Sequence, residues 1–185
     1  LKFRGSFQSE TSYSKGRGYT PVFDVYVSET DEITPYGGNM LTNVNQFKND
    51  FNKKQQDYNF TYNKEFGNHD FTLLAGYTRL EETFEGVNGT VTQYINGDQI
   101  PYDQGWWYLN IYPYGDPTTR FANSDQWDRA TVSYLTRLLY NYDGKYILNA
   151  SFRRDGSSEL SDSNRWQNFW SIGAAWDITK EGFME

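Results

Sequence analysis

The chain has 185 residues with a formal net charge of −7, no cysteine and one histidine. These counts exclude a disulfide frame and a thiolate metal site, and the acidic balance argues against a nucleic-acid partner, which calls for a basic stripe. Hydrophobic residues make up only 37% while aromatics reach 19%, with 16 Tyr, 13 Phe and 6 Trp. So little Leu, Ile and Val would strain to build a large soluble core, and no run of about 18 apolar residues exists to cross a membrane as a helix.

The chain opens on Leu1 to Gln8, where Leu1, Phe3 and Phe7 alternate with Lys2, Arg4, Ser6 and Gln8 as in a half-buried strand. From Tyr13 to about Asn52 the alternation is lost, and the stretch reads as a long surface loop. A short strand is expected at Val22 to Val27; a brief helical turn at Gln46 to Lys54 is considered and not adopted. Asp57 to Lys64 alternates again, with Tyr58, Phe60 and Tyr62 on one side and Asp57, Asn59, Thr61 and Asn63 on the other. Phe66 to Asp70 turns the chain. The return strand places Phe71, Leu73, Ala75 and Tyr77 outward against Thr72, Gly76 and Thr78, with Leu74 and Leu80 breaking the pattern.

A second irregular stretch is expected from Glu85 to about Gln126. It holds Asn88-Gly, Asn96-Gly and an aromatic cluster from Trp106 to Tyr114. Tyr134 to Tyr140 and Tyr146 to Phe152 then form a hairpin around Asp143-Gly144, a dipeptide that tolerates the positive φ of a type I′ turn. After Arg153 to Ser158 and a polar loop to Asn164, Arg165 to Ile178 runs back. One parity there is broad and apolar (Trp166, Trp170, Ile172, Ala174, Trp176), and the other is small and polar.

Long connections alternate with short ones along the chain: 13–55 long, 66–70 short, 85–126 long, 143–144 short, 156–164 medium. This order predicts an all-β, antiparallel transmembrane β-barrel, here about six wall strands with long extracellular loops, because such barrels have short turns on one side and long loops on the other. In this reading Tyr58, Phe60, Tyr62, Leu73, Ala75, Tyr77, Leu148, Ala150, Phe152, Trp170, Ile172 and Ala174 face lipid. Leu1 already lies in a strand, without initiator Met or signal peptide, and Met184-Glu185 does not read as an end, so residues 1–185 are expected to be a piece of a longer barrel lacking its plug.

The last third also carries a family resemblance. Arg153-Arg-Asp-Gly-Ser-Ser158, then Asn164-Arg-Trp166, Phe169, Ser171 and Ala174-Ala-Trp176, resembles a stretch of the SusC/RagA-type TonB-dependent outer-membrane transporters. Ser133-Tyr134, Arg137 and Tyr140-Asn-Tyr142 ahead of it fit as well, and Phe66 to Tyr77 adds weaker support. Phe169-Trp170-Ser171 departs from the family's commoner Phe-Pro-Ser. The resemblance implies a bacterial outer-membrane importer of oligosaccharides or oligopeptides. It further implies a SusD-like surface lipoprotein as lid, the TonB complex as energy source acting on a plug, and lipid around the barrel. Two rivals are a secreted β-sandwich that binds carbohydrate and a passive porin.

No catalytic set is present, so the chain reads as no enzyme, with no cofactor and no metal site. A Ser-His-Asp assembly would have to use His69 in its turn, and Glu81-Glu82 or Asp98 and Asp103 carry no glycosidase spacing. The sequons at Asn59, Asn88 and Asn149 read as chance. Trp106, Trp107, Tyr108, Tyr112 and Tyr114 are the candidate substrate-binding residues, since flat rings stack on sugars or apolar side chains. They are expected near the mouth of the lumen or against a lid protein; the alternative is that they pack the loop onto its neighbours. Arg153, Arg154, Asp155, Gly156, Ser157, Ser158, Asn164, Arg165, Trp166 and Trp176 form the family motif. Its expected role is structural, with an Arg–Asp lattice reaching Asp177 or Asp128; substrate recognition is the alternative.

Overall fold

A computed structural model of the chain describes residues 1–36 and 40–184. Among the described residues there are eight strands: β1 (Lys2–Thr20), β2 (Asp24–Val27), β3 (Glu32–Pro35), β4 (Asn43–Phe66), β5 (His69–Thr92), β6 (Phe121–Tyr142), β7 (Tyr146–Ser157) and β8 (Trp166–Trp176). Six of them form one sheet in the order β1-β4-β5-β6-β7-β8, and β2 pairs with β3 separately. No helix among the described residues is long and apolar enough to cross a membrane.

The two tight turns lie where the sequence put them. Gly67 takes φ 56 between β4 and β5, and Asp143 and Gly144 take φ 55 and 66 between β6 and β7. The turns fix register. Tyr134 faces Arg154, Tyr140 faces Leu148, Ala150 faces Ile172 and Phe152 faces Trp170. Between β4 and β5, Asp57 meets Thr78 and Asn43 meets Thr92.

Two expectations fail in the same way. The irregular stretch 13–52 is mostly strand: β1 runs on to Thr20, β4 begins at Asn43, and the loop between them carries the β2–β3 hairpin. Gln46 to Lys54 is extended rather than helical. The irregular stretch 85–126 shrinks to 93–120. β4 and β5 are each 24 residues long, more than twice the roughly 9–11 that cross a bilayer. Alternating hydrophobicity marks only the part of a strand with hydrocarbon on one side. Beyond it the backbone ladder continues without that pattern.

Two compact units divide the chain: Leu1–Glu10 with Asn52–Thr83 and Asp128–Glu185, and Thr11–Phe51 with Phe84–Trp127. The first unit is a single layer with both faces largely exposed; Trp170 and Ile172 are 75% and 70% accessible. A sandwich would bury that apolar parity against a second sheet. The second unit has a small core of Val44, Val91, Ile100, Trp107 and Ile111, made where residues 93–120 fold onto β4 and β5.

Candidate functional site

In the first unit, one face carries two rows of aromatic rings that run across the strands. The first row passes from Phe3 to Tyr58, Tyr77, Tyr134 and Trp166, with successive ring centroids 5.4–6.2 Å apart. Arg154 lies 4.8 Å over Trp166. The second row lies beside the tight turns: Phe66 meets Phe71, Phe71 meets Tyr140 at 4.6 Å, and Tyr142, Tyr146 and Trp176 follow. His69 belongs to this row, its Nδ1 2.8 Å from the Tyr140 hydroxyl. Between the rows the same parity presents Leu148, Ala150, Phe152, Trp170, Ile172 and Ala174.

The opposite face of this unit is polar. Asp57 accepts hydrogen bonds from Thr78 at 2.7 Å, Gln55 at 2.9 Å and Ser6 at 3.4 Å. Glu82 takes Arg129 at 2.7 Å and Lys53 at 3.7 Å, and Ser151 and Ser171 share a hydrogen bond at 2.8 Å. Leu74 and Leu80 have the parity of this face, as do Leu135 and Leu139, so it is polar but not exclusively so.

In the second unit the five loop aromatics take different positions. Trp107 is buried: it stacks on Tyr19 at 5.3 Å, nearly parallel, and its indole N–H donates to the Pro101 carbonyl at 3.1 Å. Tyr19 in turn donates its hydroxyl to the Ile100 carbonyl at 2.9 Å, and burial raises its pKa above the ordinary tyrosine value. Tyr114 packs against the core and meets Trp106 edge-on. Trp106, Tyr108 and Tyr112 remain exposed, Tyr112 at 82%, and Arg17 lies 4.5 Å over Tyr108.

A buried polar knot anchors the loop. The Gln93 side-chain oxygen accepts from the Thr42 N–H and hydroxyl, while the Thr42 hydroxyl oxygen accepts from Ile100 N–H. Gln93 N–H also donates to the Thr42 carbonyl, so the buried Thr42 is bonded through its N–H, carbonyl and hydroxyl.

The loop covers the parity that holds Tyr19, Val44, Gly89 and Val91, since Leu109 fills the space over Gly89. The alternate parity carries Asn45, Phe47, Asn49 and Phe51 on β4 and Phe84 on β5, with Trp127 on β6 beside them. Phe84 stacks on Trp127 at 5.6 Å and Phe51 lies 6.2 Å from the same ring. Sequence reasoning missed this strip by taking its strands for loop. The signal was a period of two, Asn45-Gln-Phe47-Lys-Asn49-Asp-Phe51.

No protein-family model matches the chain. Among curated proteins it is 33% identical over 144 residues to TonB-dependent receptor P3 of Formosa agariphila, covering 76% of this chain and 13% of that protein. It is 30% identical over 137 residues to TonB-dependent receptor SusC of Bacteroides thetaiotaomicron, covering 71% and 12%. Among solved structures, a chain of the RagAB peptide transporter superposes over 99% of this chain and 19% of its own, with TM-score 0.68 and 17% identity. The chain belongs to the SusC/RagA-type TonB-dependent receptors.

It spans about an eighth of the length of the curated relatives it matches. The second likeness of fold, to the RagAB peptide importer in its closed-closed state, has TM-score 0.65 at 18% identity, and again covers nearly the whole chain. Both likenesses support an all-antiparallel barrel-wall segment.

Within this SusC/RagA-type segment some motif residues contact one another and others bond to neighbouring residues outside the motif. Arg153 pairs with Asp155 at 2.7 Å and lies over Phe169. Among the described residues no ion pair joins Arg153 or Arg154 to Asp177 or Asp128, the two expected lattice partners; Asp177 accepts from Thr179 and pairs with Lys180, and Thr179 is the main cause of its lowered pKa. Trp166 lies so close over Gly156 that a Cβ there would meet ring atoms at 2.7 Å. Ser157 N–H donates to the Arg165 carbonyl. Ser158 N–H donates to the Ala130 carbonyl, and Ala130 N–H donates back to the Ser158 hydroxyl. Asn164 N–H closes the loop on Ser161, Arg165 pairs with Asp162, and the Trp176 indole donates to Glu181.

Proposed function

We propose that this chain forms part of the wall of a longer outer-membrane importer, energised by TonB through a plug and closed from outside by a SusD-like lipoprotein. Its cargo is a bulky nutrient, an oligosaccharide or an oligopeptide. The observation that carries the membrane reading is the pair of aromatic rows with an apolar band between them on one face. Amphipathic rings collect at the two membrane–water interfaces, and barrels carry such girdles above and below their apolar band. The polar face, with its lattice around Asp57 and Glu82, then faces a wet or plug-filled interior. The motif from Arg153 to Trp176 serves to tie the β7–β8 loop to the wall. Trp107 and Tyr114 hold the long loop in place, and Trp106, Tyr108 and Tyr112 present its exposed surface.

Uptake assays on cells carrying the whole parent protein test this reading. Import of the nutrient that induces it should stop when either the parent protein or TonB is removed. Import that persists without TonB would support a passive porin instead.

A further inference from the structure

We infer that the notch bordered by Tyr140, Tyr146 and Trp176 and floored by Leu148 and Ala174 binds one phospholipid with a zwitterionic ethanolamine headgroup. This inference rests on the membrane-wall reading and goes beyond it, because a wall merely wetted by lipid needs no such site. The notch measures about 360 Å³. Register builds it: Tyr146 faces Trp176, Tyr140 faces Leu148, and Leu148 faces Ala174. Three rings on the apolar parity therefore stand around two smaller side chains, and the short Ala174 leaves the depression open.

Each bordering ring is tied at its polar tip. The Tyr140 hydroxyl lies 2.8 Å from His69 Nδ1, and the Tyr146 hydroxyl and Trp176 indole donate to the same Glu181 oxygen at 2.6 and 3.0 Å. Rings held in this way do not swing in to fill the space, so an acyl chain entering it has little side-chain freedom to freeze. Glu181 also sets a charged rim at the turn end of the notch. Lys145 lies 3.9 Å from Glu181 and 3.7 Å from Asp143, and Lys180 lies 3.6 Å from Asp177. A lipid phosphate meets the lysines there, and a primary ammonium, with three donors, meets the carboxylates. Two lysines stand against three carboxylates, so the rim opposes a headgroup of net negative charge. Short turns lie on the periplasmic side of such barrels, which places the lipid in the inner, glycerophospholipid leaflet.

Ordinary annular lipid, exchanging freely along the whole face, is the competing explanation. Native mass spectrometry of the whole transporter in detergent, titrated with phosphatidylethanolamine or phosphatidylglycerol, separates the two. The parent is expected to take up its first phosphatidylethanolamine at a saturable site, with phosphatidylglycerol about two- to fivefold weaker, the size of one exposed charge interaction. Ala174→Leu fills the notch and should weaken phosphatidylethanolamine about four- to fifteenfold, as driving out one or two buried methylenes does. Ala75→Leu adds the same bulk to the apolar parity of β5, away from the notch, and should leave binding unchanged. Lys180→Gln should narrow the difference between the two lipids' effects on the rim by weakening phosphatidylethanolamine about two- to fivefold.

Equal affinity for the two lipids, or a preference for phosphatidylglycerol, overturns the inference. So does a loss in Ala174→Leu no larger than in Ala75→Leu, which reduces the notch to annular contact. Should Ala174→Leu fail to assemble, Lys180→Gln and the headgroup preference carry the test, and no effect of either overturns it. Failure of the membrane-wall reading would show separately, as labels at Leu148 and Ala174 that oxygen dissolved in the bilayer does not reach.

Discussion

Ile172→Arg probes the membrane face at its most sensitive point. β8 runs from Trp166 to Trp176, and both ends carry an indole of an aromatic row. Ten steps at about 3.3 Å give roughly 33 Å of strand, and a tilt of about 40° reduces this to a height of roughly 25 Å. That height matches the apolar band of an outer-membrane barrel. Ile172 lies six residues from one tryptophan and four from the other, beside Ala150 on β7, so it falls near mid-band. An arginine there should cost about 2–4 kcal/mol, a factor of about 30 to 900 in the folding equilibrium. The neighbouring Ser171 points to the other face, where its hydroxyl shares a hydrogen bond with Ser151. Ser171→Arg should cost about 1 kcal/mol, the value of that hydrogen bond. Denaturant titration of the whole transporter refolded in lipid vesicles reads both variants. Equal losses, or a larger loss for Ser171→Arg, would refute the assignment of faces.

Three further outcomes are expected. Gly144→Val should impair assembly by about 1–2 kcal/mol, because φ is 66 at that position and a β-branched residue resists it; Gly144→Asn should be milder when membrane abundance is compared. Trp107→Ala should loosen the 93–120 loop by about 3–5 kcal/mol and expose it to limited proteolysis, whereas Tyr112→Ala should leave the cleavage pattern unchanged. The Tyr146 hydroxyl and the Trp176 indole donate to Glu181 and hold its carboxyl below the ordinary 4.5. Its contribution is therefore complete above pH 4.5 and lost as pH falls through the lower folded value. Glu181→Gln should remove that part of the acid dependence of the unfolding midpoint.

What the sequence disclosed follows from what the solvent imposes. From Asp57 to Lys64 and from Tyr134 to Trp176 one parity is apolar, and there strands, turns and faces could be read directly. The aromatic rows needed the fold, because Tyr58, Tyr77, Tyr134 and Trp166 are scattered in sequence and meet only through register. The extensions of β1, β4, β5 and β6 were harder to read because charged and polar residues occupy both parities, so that the period of two through Phe47 and Phe51 stands among Asn45, Gln46, Lys48, Asn49 and Asp50. A further clue was available: continuing the pairing outward from the Gly67-Asn68 turn sets Asp57 against Thr78 and Asn43 against Thr92, as observed. Trp106 to Tyr114 read as one aromatic cluster, yet the buried Thr42–Gln93 knot and Tyr19 sort it into packed and exposed rings. Those partners lie far away in sequence.

Spin-label accessibility along β5, β7 and β8 of the whole transporter in lipid bilayers tests the account most directly, and the absence of cysteine in this chain makes single-cysteine labelling simple here. Labels at Leu73, Ala75, Leu148, Ala150, Ile172 and Ala174 should be reached by oxygen dissolved in the bilayer and shielded from a water-soluble nickel chelate. Labels at Gly76, Thr78, Asn149, Ser151 and Ser171 should be poorly reached by oxygen. The opposite pattern, or no alternation between the two sets, would contradict the membrane-wall reading of this chain.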